Sequence, residues 1–137
     1  MKNITEKAKK EINNIINLCA EIIKQDNVIV YPSAEVHSIQ TYYHVDIMNK
    51  DGIPQDTIFT VDGPSNGYGI RITSTGVYIS GYDLGLDKNK LIKLYSDCET
   101  KSDKQKQLRE KIAEQKYAKL LSETKQGLAK FTLPKTK

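Results

Sequence analysis

The chain has no tryptophan, two phenylalanines, two cysteines, two histidines and only two arginines among its 137 residues. Each scarcity removes a class of protein. Cys19 and Cys98 are too few for a disulfide framework and lack metal-ligand spacing, so both are read as free thiols that act as small buried apolar groups. His37 and His44 are seven residues apart, which sets them on opposite faces of one continuous strand and argues against a shared metal ion. No apolar run reaches the roughly 18–20 residues of a spanning helix, and the charged first ten residues carry no hydrophobic signal segment. No membrane partner is expected, and a cytoplasmic location is.

The motifs of common catalysts are missing as well. There is no Walker loop, no Gly-x-Gly-x-x-Gly opening a helix and no Gly-x-Ser-x-Gly elbow. Gly67-Tyr68-Gly69 is only a fragment of a phosphate loop, and it precedes a strand. No catalytic residue, cofactor or metal is therefore expected, and a binding protein is favoured over an enzyme.

What remains fits one α+β domain over 1–137, since domains cluster near 100–150 residues. The net charge is +4, unevenly spread: residues 101–137 hold eleven Lys/Arg against four Asp/Glu, the preceding hundred ten against thirteen. A basic C-terminal third suits an anion or an acidic face of a second copy. A helix is expected over 3–26, capped by Asn3, with Ile4, Ala8, Ile12, Ile15, Ile16, Cys19, Ile22 and Ile23 on one face. An antiparallel meander of four to five strands follows over 28–83, in which Tyr43, Val45 and Ile47 share a face and Ile70–Thr73 pairs with Val77–Ser80. A helical pair over 87–128 comes next. Asp87 caps a first helix that buries Leu91, Ile92, Leu94 and Tyr95, and Ser102 or Asp103 caps the second. The tail over 129–137 is expected to be mobile.

The second helix of that pair carries a thin apolar stripe of Leu108, Ile112, Tyr117, Leu120, Leu121 and Leu128 amid lysines. A stripe of that kind needs a partner, so a homodimer or higher homo-oligomer is expected.

The arginines are the most pointed signal. Where nineteen lysines supply plain charge, Arg71 and Arg109 stand out, because only a guanidinium offers a planar, bidentate fork for phosphate and a flat face for stacking. Arg71 follows the glycine loop and lies near Tyr68, Tyr78 and Tyr82, and it can meet Tyr78 across the hairpin. Tyrosines beside an arginine can stack a purine while the guanidinium holds phosphate oxygens.

In its order of helix, antiparallel sheet and terminal helices, the chain resembles the phage anti-Thoeris sponge proteins of the first-described class. Gly69-Ile70-Arg71-Ile72 through Tyr82 and Gln107-Leu108-Arg109-Glu110 carry the likeness. The resemblance implies non-catalytic capture of a cyclic ADP-ribose-like signal, with Arg71, Arg109, Tyr68, Tyr78, Tyr82 and Asn89 as ligand-binding positions. The alternative is a small phage-type inhibitor, of the anti-CRISPR kind, that blocks a protein or nucleic-acid channel through its basic C-terminal helix. Direct binding of single-stranded nucleic acid is disfavoured, because charge and aromatics do not interleave along any one element.

Overall fold

The computed structural model describes residues 5–33, 42–64, 67–81 and 88–132. Its elements run α1 (Glu6–Ile23), β1 (Val28–Pro32), β2 (Tyr42–Met48), β3 (Pro54–Asp62), β4 (Gly69–Ile72), β5 (Tyr78–Ser80) and α2 (Lys88–Ala129). The α+β class and the helix–sheet–helix order are as the periodicities require. Residues 1–103 make one compact unit and 104–137 a second.

Thr5 caps α1, its hydroxyl accepting from the Ala8 N–H at 3.0 Å. Asn3, the cap expected from sequence, lies outside the described residues. Ile16, Cys19 and Ile23 are buried, with Ile12, Ile15 and Ile22 packed beside them. The five strands form one antiparallel sheet in sequence order, β1-β2-β3-β4-β5. Val28, Val30, Tyr43, Val45, Phe59, Val61, Ile70 and Ile79 join the α1 residues, and Leu91, Leu94 and Cys98 of α2, in a single core. Both cysteines are buried, as expected of small apolar groups.

Two expectations are corrected here. The helical pair is one continuous helix of 42 residues. Leu91, Leu94, Cys98 and Ser102 recur at three- and four-residue intervals and are all buried, so the buried face runs straight through the point where a break was expected. No proline or glycine interrupts 88–126. Asp87 lies outside the described residues. Ile92, expected to be buried, is exposed.

Tyr43, Val45 and Ile47 share a face as expected, Ile47 pairing with the core residue Val28 and Val45 with Val30, although Ile47 itself is 39% exposed. The β2–β3 pairing jumps from Asp46↔Thr57 to Met48↔Pro54, leaving Ile47 beside an irregular stretch of ladder.

In the second unit, Leu108, Ile112, Tyr117, Leu120, Leu121 and Leu128 are all exposed, and so is Phe131. The expected tail falls partly outside the described residues, which end at 132. No helix among the described residues is long and apolar enough to cross a membrane.

Candidate functional site: the sheet face opposite the core

Within the first unit, α1 and residues 88–103 of α2 supply the helical part of the core. Strand side chains alternate in direction, so the residues out of phase with that core define the other face. Cross-strand pairing places Tyr31, His44, Thr60, Arg71 and Tyr78 in one row over all five strands. Tyr42 and Asp62 are paired in the neighbouring row, and Asp46 and Thr57 are paired on the other side.

At the β4–β5 end, the Arg71 guanidinium carbon lies 4.8 Å from the centroid of the Tyr78 ring. The meeting anticipated across the hairpin is there, and the pair is in register. Arg71 is exposed and Tyr78 half-buried. The Tyr78 hydroxyl donates to Asp62 Oδ2 at 2.7 Å. An arginine supported on an aromatic face keeps its N–H edges available to an anion.

At the β1–β2 end, Tyr31 stacks on His44 with centroids 4.9 Å apart and planes at 14°. Tyr42 tilts against the same imidazole at 5.1 Å. The Tyr31 hydroxyl donates to Asp46 Oδ2 and the Thr57 hydroxyl to Asp46 Oδ1, both at 2.7 Å. Asp46 is thereby buried, with both oxygens satisfied. Burial, reinforced by the bond to Asp46, pushes the Tyr31 phenol up to about 12.

The remaining sequence-derived positions scatter. Tyr68 has φ 62°, and its ring packs on the core and edge-on to Tyr95 at 6.0 Å, away from Arg71. Asn89 is exposed in the first turn of α2. Arg109 is exposed in the second unit. Tyr82 and His37 lie outside the described residues. Residue order alone does not single out Tyr31 or Asp46, and it offers His44 only as a metal partner of His37 that the spacing disfavours. The period-two spacing of His44 and Asp46 marks a strand face, but only pairing joins Tyr31 to them.

A separate groove of about 340 Å³ lies between α1 and α2, floored by Ile16, Ala20 and Leu94 and rimmed by Lys24, Lys90 and Lys93. Two of those lysines are engaged, Lys24 with Glu21 and Lys93 with Asp97. No group of three or more His, Cys, Asp or Glu that could hold a metal occurs among the described residues. Comparison with protein-family models, curated proteins and solved structures finds no match.

Proposed function

We propose that the protein is a non-catalytic binding protein of the anti-defence type. It captures a phosphorylated nucleotide, such as a cyclic ADP-ribose-like signal, on the face of the sheet that bears Arg71. The observation that carries this reading is Arg71 laid over Tyr78, with Tyr78 itself held by Asp62. That arrangement holds a guanidinium in place before any ligand arrives, which limits the entropy lost on binding. Arg109 is a second anion contact in this reading, and the assembly is a homo-oligomer. The test is a thermal-shift panel of nucleotides and cyclic nucleotides, followed by titration of the best ligand into Arg71→Lys. Losing the fork costs a charge-assisted hydrogen bond of about 1.5–3 kcal/mol, or roughly ten- to a hundred-fold in affinity. Lys116→Ala should bind as the parent does. Undiminished binding by Arg71→Lys removes the site, and recovery of a cleaved ligand makes the protein an enzyme.

A second reading is favoured by a different observation. Residues 104–132 form a basic helical segment whose large apolar side chains are all exposed. A segment of this kind suits an inhibitor that docks on an acidic groove of a protein or nucleoprotein. Such binding weakens gradually as lysines are removed, whereas a nucleotide site fails sharply at Arg71.

A further inference from the structure

The cross-strand row opposite the core has flat groups on both sides of a small residue. From β1 to β5 it reads Tyr31, His44, Thr60, Arg71, Tyr78. Its two ends are closed stacks, Tyr31 on His44 and Arg71 over Tyr78. Each stack is pinned by a tyrosine hydroxyl on a carboxylate, Tyr31 on Asp46 and Tyr78 on Asp62. His44 and Arg71 therefore flank Thr60, the smallest side chain in the row.

Two strand spacings leave room for one inserted ring, and the flanking side chains must close by about 2 Å to touch both its faces. β2 and β4 are two strand spacings apart, about 10 Å. A planar group in contact on both faces takes about 3.5–4 Å on each side. The imidazole of His44 is held by stacking: Nδ1 is buried with no hydrogen-bond partner, while Tyr31 and Tyr42 fix the ring. It contributes a face rather than a polar contact.

We propose that the gap over Thr60 is a slot for a nucleobase, stacked between the His44 imidazole and the Arg71 guanidinium. The proposal rests on the reading that Arg71 holds a phosphorylated nucleotide, and it assigns the base to His44 and Thr60 instead of Tyr68 or Tyr82. Arg71 serves both ends of the ligand, its face to the ring and its N–H edge to a phosphate oxygen. The Thr60 hydroxyl, at the floor, can donate to or accept from the polar edge of the base. The two carboxylates on this face are engaged: Asp46 is 3% exposed with both oxygens hydrogen-bonded, and Asp62 accepts from Tyr78.

Calorimetric titration with adenosine diphosphate and with inorganic pyrophosphate tests the slot, since only the first has a ring. The nucleotide is expected to bind about tenfold or more tightly than pyrophosphate, the scale of one stacked base. His44→Ala and Thr60→Leu should each erase that advantage and leave pyrophosphate affinity unchanged, while His44→Phe, which keeps a flat ring, should preserve it. Both positions lie outside the core cluster, so circular dichroism should be unaltered. In the parent, ring-current shifts of the His44 imidazole protons should appear with the nucleotide and not with pyrophosphate. If the nucleotide binds no better than pyrophosphate, or if its advantage survives Thr60→Leu, the slot is wrong while Arg71 remains an anion site. If neither probe binds, the nucleotide reading falls and takes the slot with it.

Discussion

The Tyr78 hydroxyl reaches Asp62 Oδ2 at 2.7 Å by crossing β4 where that strand has no side chain, at Gly69. A Cβ at Gly69 would stand 2.7 Å from the Tyr78 oxygen and 2.9 Å from the Ile79 carbonyl oxygen. One glycine thus lets a residue on β5 hydrogen-bond to one on β3, and it sets the ring on which Arg71 rests. Gly69→Ala is expected to displace Tyr78 and cost about 1–3 kcal/mol of stability, the usual range for overpacking. Urea denaturation measures it, and a midpoint equal to the parent's would mean that Tyr78 moves aside freely.

Asp46 offers a second test of pinning. Thr57→Val removes one of its two donors while keeping shape, and Tyr31→Phe removes the other. Each should cost about 1–3 kcal/mol, because a buried carboxylate oxygen is left unpaired. The double variant should differ from the sum of the two, since both bonds end on one carboxylate. Strict additivity would show that Asp46 finds water when either donor is lost.

Much of this architecture was legible in residue order. The isoleucine period of α1, the change to period two at Val28 and the Ser74-Thr75-Gly76 turn each impose their element by local rules. What escaped depends on pairing. Asp46 reads as a polar strand residue, and nothing within β2 announces that Tyr31, fifteen residues back, covers it. Alternation of aromatic and basic groups is absent along any one element, yet it runs across the strands from Tyr31 to Tyr78. Ser102 looked like a cap because serine commonly starts helices, but its three- and four-residue spacing from Leu91, Leu94 and Cys98 gives it the buried face. Tyr68 looked like a partner of Arg71 because it is close in sequence. Its left-handed backbone turns the ring to the core.

Alkaline pH should destabilise the fold. Burial pushes the thiols of Cys19 and Cys98 and the phenols of Tyr31 and Tyr43 up to about 12, from ordinary values of 9.0 and 10.0. The unfolded chain therefore loses these protons while the folded chain keeps them. Their contribution is complete below pH 9 and is lost as the pH rises through 12. Lys101 acts the other way, since burial lowers its pKa and stability gains as that ammonium deprotonates, but it is one group against five, because burial raises the Tyr95 phenol as well. The urea midpoint should fall between pH 8 and pH 11, and Tyr43→Phe should shrink the fall. A flat profile would contradict the assignment.

Lys101 closes the end of α1. That helix has no basic residue in its last turn, and the Lys101 ammonium, from α2, donates to the carbonyls of Ile23 and Gln25. A cation at a helix C-terminus satisfies orphan carbonyls and complements the dipole. Lys101→Met keeps the aliphatic stem and removes the donor, leaving the Ile23 and Gln25 carbonyls without it, so a loss of about 1–2 kcal/mol is expected. Hydrogen exchange should speed up first in the last turn of α1. Unchanged exchange there would mean that the carbonyls are satisfied by solvent.

The exposed segment of α2 offers a surface to a second copy of the chain. Tyr117, Leu120, Leu121, Leu128 and Phe131 are all more than half exposed. Tyr117, Leu120, Leu121 and Leu128, at spacings of three, four and seven, lie on one strip of α2 about 16 Å long, and Phe131 follows just past the helix end. Lys104, Lys111 and Lys119 fall on the opposite side of the same helical wheel. A strip this apolar on a charged helix gains about 25 cal/mol for each Å² withdrawn from water. The first unit, moreover, carries a small excess of acidic groups to meet a second copy's lysines. Sedimentation at tens of micromolar should therefore show a dimer or larger species. Leu121→Lys and Leu128→Lys should shift it to monomer while the sheet unit melts unchanged, since neither residue belongs to the core cluster. A parent that sediments as a monomer at that concentration would leave the strip without a second copy, and would turn the balance toward an inhibitor whose helix is covered only by its target.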